Sequence, residues 1–241
     1  MINNRVFSSM IGVSVFALFL STCKPGGESA ATDVQKGLVK VQFGSVELVR
    51  SGQTLPLKKG DALQQGDSIR TGGDGLAIIA LYGGRGEVEI QENAVFTLTS
   101  LSANGQLDQE QGNAWIRMNK LASNESLKVI TPTAIAGVRG TKFYNFTMPD
   151  GTTGTCQCEG SVDYDRDTGF NRVHEQDSVV LNRGDVSIVL TADDMAGIDI
   201  PAHNHSTIPE SSLGPKNDMT PEQGAAMMAL INQRFAEAGA R

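Results

Sequence analysis

The chain has 241 residues, with 20 Lys and Arg against 27 Asp and Glu and a net charge of −7 at neutral pH. An acidic balance with no basic run beyond Lys58-Lys59 excludes nucleic acid as a partner, because that binding is driven by Lys and Arg neutralising phosphates. The length leaves room for one sizeable domain.

Arg5 is the only charge before Cys23, and the apolar run from Val6 to Leu20 is broken only by Ser8, Ser9, Gly12 and Ser14. A basic start, a short apolar stretch and a small-residue site predict a secretory leader over residues 1–22. The run is shorter than the roughly 18–20 apolar residues that span a bilayer. Leu20-Ser21-Thr22-Cys23 resembles the lipobox of bacterial lipoproteins. That resemblance implies that Cys23 receives a diacylglycerol and anchors the chain to the cell envelope, facing the periplasm or in the outer membrane. A cleaved soluble protein and an uncleaved anchor are the alternatives. Residues 23–36, with Pro25-Gly26-Gly27 and little apolar material, are expected to be a flexible tether.

From 37 to 190 the pattern is β. Val46 and Leu48 flank Glu47, Val88 and Ile90 interleave with Glu87 and Glu89, and Val186, Ile188 and Leu190 follow the same period of two. Turn signals recur at Ser51-Gly52, Gln65-Gly66-Asp67, Gly72-Gly73, Asn104-Gly105 and Arg183-Gly184-Asp185. Many short strands at close spacing predict an all-β domain, curled and solenoid-like or a sandwich. Glu87 and Glu89 are read as a solvated strand face. Residues 191–219, with Pro201, Pro209 and Pro215, are expected to form an extended arm. Residues 220–241 are expected to form a short amphipathic helix: Thr220 as N-cap, Pro221 at the first position, Gln223 closing a capping box, and Met227, Leu230, Ile231 and Phe235 on one face. Docking on the β-domain is the plain role for this helix, and binding a partner is the sharper one.

Two blocks carry a family resemblance. Leu63-Gln64-Gln65-Gly66-Asp67-Ser68-Ile69-Arg70-Thr71-Gly72 resembles the FecR hallmark "L, two residues, G-D, x, I, x, T-G". Thr131-Pro132-Thr133-Ala134-Ile135-Ala136-Gly137-Val138-Arg139-Gly140-Thr141-Lys142-Phe143 and Glu159-Gly160-Ser161-Val162 resemble the family's second block and its "E-G-x-V". The resemblance implies a β-rich periplasmic module, which in the best-known members belongs to a transmembrane regulator that relays receptor state to a sigma factor. Five residues precede the apolar stretch here, so the module and its binding habit are expected to carry over without the relay. Within the blocks, Gly66, Gly72 and Gly140 suit positive φ. Asp67 and Thr71 suit capping of turn amides, and Arg139 suits donation to carbonyls across a turn.

Cys156-Gln157-Cys158 is the sharpest local feature. On an extended strand the two side chains share a face with Cα atoms about 6.7 Å apart, wider than the roughly 5.5–6 Å that a disulfide prefers. A strained disulfide, inert thiols and a metal site all remain open. His203-Asn204-His205 offers a second pair, so that Cys156, Cys158, His203 and His205 would suit Zn²⁺ or Cu(I). No cofactor is required by the rest of the sequence. No Ser, His and Asp stand in a nucleophile arrangement and Gly83-Gly84-Arg85-Gly86 lacks the Lys-Ser/Thr of a phosphate loop, so a non-enzyme is expected. The expectation is therefore an envelope-anchored binding or scaffold module, with an envelope protein, peptidoglycan or a glycan as partner and its lipid in the membrane. The alternative is a sensory accessory that reports metal or envelope state through the cysteine and histidine pairs.

Overall fold

The computed structural model describes residues 37–119, 121–138, 140–148, 150–160, 162–165, 172–174, 178–198 and 219–239. The leader, Cys23 and the tether lie outside these residues, as do Arg139, His203 and His205. The described strands are β1 (Gly37–Phe43), β2 (Val46–Arg50), β3 (Gln53–Pro56), β4 (Ala62–Leu63), β5 (Ser68–Thr71), β6 (Leu76–Leu81), β7 (Gly86–Ile90), β8 (Val95–Ser100), β9 (Asn104–Gln111), β10 (Ala114–Met118), β11 (Ser126–Thr131), β12 (Ala134–Val138), β13 (Lys142–Thr147), β14 (Thr153–Glu159), β15 (Val162–Asp165), β16 (Arg172–His174), β17 (Ser178–Arg183) and β18 (Val186–Leu190).

They form two nine-stranded sheets, in the orders β18-β17-β14-β13-β10-β7-β6-β1-β4 and β16-β15-β12-β11-β9-β8-β5-β2-β3. Beyond the first two strands of each sheet the numbers only rise, so the chain lays down a sandwich progressively from one end, crossing between the sheets as it goes. Every pairing is antiparallel except that of β9 with β11. Contacts therefore run mainly between neighbours along the chain, which is the logic of a solenoid expressed as a sandwich. The β2–β3 hairpin turns on Ser51 (φ 51°) and Gly52 (φ 78°), two left-handed residues whose twist matches that of the flanking strands.

Alternation places Val39, Ile69, Ile79, Val88, Ile90, Phe96, Leu98, Leu107 and Ile116 in one dry core between the sheets. Apolar burial of this kind is the main driving force for folding. Two carboxylates depart from the expected solvated face. Glu89 is 2 % exposed, and its Oε1 accepts from Gln91 Nε2 at 3.2 Å. Glu87 is ion-paired with Lys40 and Arg117. Period two assigned both to a common face but could not report that this face is covered at Glu89 and at its cross-strand partner Trp115, also 2 % exposed.

After β18 the chain does not simply extend. Thr191 caps a one-turn helix, α1 (Ala192–Met195), through a reciprocal bond with Asp194, so the expected arm begins with a helical turn. Thr220 and Gln223 make the same capping box at the start of α2 (Pro221–Glu237). Ile231 and Phe235 of α2 are buried with Cys156, Val179, Leu181, Ile188, Leu190 and Met195 in a second, smaller core. This core lies on the outer side of the first sheet.

Candidate functional site

The first motif block builds a turn. Gly66 has φ 89°, open to glycine at little cost. It delivers Asp67, fully buried, into a fork: Arg50 donates to Asp67 through Nε at 2.7 Å and Nη2 at 2.6 Å, and the Gln64 amide donates to the same carboxylate at 2.8 Å. Bidentate geometry of this kind is the strong form of the ion pair. The hydrogen bond with Asp67 also raises the Arg50 pKa. Thr71 donates to the Gln91 carbonyl at 2.5 Å and accepts from the Ala94 amide at 2.8 Å, joining β5 to the turn before β8. Gly72 differs from expectation. Its φ is not positive; instead a Cβ added there would stand 3.1 Å from the Ser45 Cβ, so the requirement is room for a neighbour.

The second block is also a turn system. Thr131 bridges the β11–β12 hairpin, accepting from the Ala134 amide and donating to its carbonyl. Gly140 (φ 72°) and Gly160 (φ 83°) abut: a Cβ on Gly160 would lie 2.8 Å from the Gly140 carbonyl. The "E-G-x-V" glycine is thus the counterpart of the glycine in "V-R-G-T". Beside Gly140 lies a cleft of about 430 Å³, lined by Arg117, Met118, Asn119, Gly140, Thr141, Lys142 and Glu159. Its size falls within the range of small-ligand sites. Its charged lining is Arg117, Lys142 and Glu159; Arg117 pairs with Glu87 of β7, and Lys142 of β13 with Glu159 of β14.

The cysteine pair lies next to this cleft in sequence and on β14. Cys156 is 3 % exposed and Cys158 partly exposed. Their sulfurs are 3.9 Å apart, beyond the roughly 2.05 Å of an S–S bond. Both pack on the second core with Met148, Met195 and Met227. Among the described residues no three His, Cys, Asp or Glu side chains come together, so the structure brings the two cysteines side by side and leaves the His203 and His205 part of the predicted set outside the described residues.

Two arginines, Arg234 and Arg183, tie the helices to each other and to this face. Asp194 of α1 is paired with Arg234 of α2. The Asp194 carboxyl is held below the usual range by bonds from the Thr191 amide and hydroxyl, with Arg234 assisting. Arg183 reaches Asp150 at 2.9 Å, the Thr152 hydroxyl at 2.8 Å and the Asn232 amide oxygen at 3.1 Å, and lies 4.4 Å over the Phe235 ring. Burial pushes the Asp150 carboxyl up, but the Thr152 amide and hydroxyl with Arg183 hold it low on balance. Arg183 opens the Arg-Gly-Asp tripeptide, and here it is a clamp between sheet and helix. Arg50 did not stand out in the sequence and Arg183 did so only as part of a turn tripeptide; each is an arginine at the edge of a strand whose acidic partner lies 33 or 17 residues away.

Residues 67–163 match the family model described as FecR protein. No curated protein matches the chain. Two crystal structures of a candidate anti-sigma factor from Parabacteroides distasonis ATCC 8503 are similar. One is 17 % identical, with 51 % of this chain and 57 % of that chain covered and a TM-score of 0.45. The other is 16 % identical, with 60 % and 68 % covered and a TM-score of 0.44. The chain thus spans 57 % of the length of the first of these structures. The second motif block and most of the first fall within the matched residues, so residues 67–163 are similar to a FecR domain.

Proposed function

We propose that the chain is an exported, lipid-anchored FecR-domain protein that serves the cell envelope as a non-catalytic binding or scaffold module. The observation that carries this reading is the cleft at the second block, a charged hollow between β10, β13 and β14. The hallmark residues of the first block are spent on internal bonds, with Asp67 and Thr71 both buried. Recognition is therefore assigned to the second block, where Lys142 and Glu159 remain partly exposed. Charges of both signs on an open rim suit a polar segment of another envelope protein, because complementary charges fix register and reject wrong partners.

A photo-crosslinking residue at Asn119 in intact cells should capture a discrete partner, and Lys142→Glu should reduce the yield severalfold. Equal capture from a site on the opposite sheet, such as Arg70, or no effect of Lys142→Glu, would remove the cleft from the reading. Incorporation of labelled palmitate, lost in Cys23→Ser, tests the anchor. A second reading, a sensory accessory that reports metal state, is supported by the 3.9 Å spacing of the Cys156 and Cys158 sulfurs.

A further inference from the structure

The second core is unusual in its chemistry. Two thiols and three thioethers, from Cys156, Cys158, Met148, Met195 and Met227, pack into one cluster beneath α2. The sulfurs of Cys156 and Cys158, 3.9 Å apart, have the separation that one metal ion would need. With metal–thiolate bonds of about 2.3 Å, that spacing subtends roughly 115° at the metal, between tetrahedral and trigonal. A third donor is then required. Among the described residues no further His, Cys, Asp or Glu joins the pair, whereas methionine sulfur is at hand. Met148 sits at the far end of β13, its amide bonded to the Thr152 carbonyl, several residues up the sheet from the pair. Met195 ends α1, the turn of helix that follows β18, whose Leu190 pairs with Val179, itself the partner of Cys156. Met227 is carried on the face of α2 turned to the same cluster.

We propose that Cys156, Cys158 and one of Met195 or Met227 form a three-sulfur site for Cu(I). The inference rests on the metal-sensing reading and changes its ligands. Thiolates serve Zn²⁺ and Cu(I) alike, but zinc takes its remaining ligands from Cys, His or carboxylate, whereas a thioether third donor suits Cu(I). Binding breaks two S–H bonds, releases two protons to solvent and forms two Cu–thiolate bonds; the thioether adds as a neutral donor, and no electron is transferred. Because Met195 and Met227 belong to α1 and α2 while the thiolates belong to β14, the ion would tie a helix to the sheet at one point.

The test uses the full chain without a His-tag, reduced and kept anaerobic, titrated with Cu(I) against a chromophoric Cu(I) chelator. One Cu(I) per chain is expected. The double variant Cys156→Ser/Cys158→Ser, with unchanged circular dichroism, should lose competition with the chelator. Either Met195→Leu or Met227→Leu should weaken binding about tenfold, the scale of losing one supporting contact at a metal. X-ray absorption of the loaded protein should show sulfur neighbours alone. Binding unchanged in the double cysteine variant, or in both methionine variants, overturns the three-sulfur site. Nitrogen neighbours overturn it too, while leaving the metal-sensing reading in place. Absence of any metal uptake, Cu(I) or Zn²⁺, removes both.

Discussion

Two regions of the first sheet bury their faces differently, one on a single apolar side and the other on both sides. At β6 and β7 the side turned to the second sheet is apolar, with Ile79, Val88 and Ile90 inaccessible. At β14 and β17 the same side carries Thr153, Thr155, Gln157, Ser178 and Asn182, all buried. Thr153 there meets Thr133 of the other sheet, and Thr155 donates to Asn145 Oδ1 at 2.8 Å. Of the apolar residues of these strands, Val180 joins the inter-sheet core, whereas Val179 and Leu181 with Cys156 point the other way, under α2. The lesson is that one alternating pattern can feed two cores. The first closes between sheets; the second exists only because a helix returns to cover it. This polar layer is only partly satisfied, since Asn145 Nδ2 and Gln157 Oε1 are buried without a hydrogen-bond partner among the described residues.

The comparison can be broken most forcefully with two phenylalanines. Phe143→Ala in the inter-sheet core should cost about 3–5 kcal/mol in global stability, measured by urea denaturation. Phe235→Ala, equally buried but on α2, should move the global midpoint by less than about 1 kcal/mol, because it loosens a local unit. It should instead speed alkylation of Cys158. Equal global losses would mean that the two cores unfold as one.

Asp67→Ala should cost about 3 kcal/mol and act globally, since it leaves the Arg50 guanidinium and the Gln64 amide without their acceptor. A value near zero would remove the first block from the cooperative core.

A smaller effect should appear with pH. Tyr82, 4 % exposed, has its hydroxyl buried without a hydrogen-bond partner, and burial pushes its pKa up to about 12, with Glu125 adding to the shift. Its folded pKa lies above its unfolded value near 10. The folded state therefore holds its proton longer: stability is complete below about pH 10 and falls by about 2 kcal/mol as pH rises to 12. Tyr82→Phe should flatten that fall, and an unchanged slope would show that the phenol is hydrated.

Turns were the most legible feature. Gly66 and Gly140 could be placed at left-handed positions because the residue type itself reports the backbone's need. The Thr220–Gln223 capping box was visible because its partners are three residues apart. Gly72 misled because a glycine forced by a neighbour 27 residues earlier, Ser45, looks the same as one forced by its own φ. Glu89 misled because alternation assigns a face without saying what lies over it. The cleft and the fork at Asp67 were hidden for the same reason: each joins residues from strands far apart in sequence.

The sequence by itself determined what short-range chemistry controls: period-two strands, glycine turns, a capped final helix and two cysteines on one side of a strand. Tertiary structure alone decided which side of each strand is dry, that Arg183 clamps the helix to the sheet, and that the two sulfurs come to 3.9 Å beneath it. Local patterns record the conformation of a few residues, whereas burial and approach depend on which distant segment arrives to share the space.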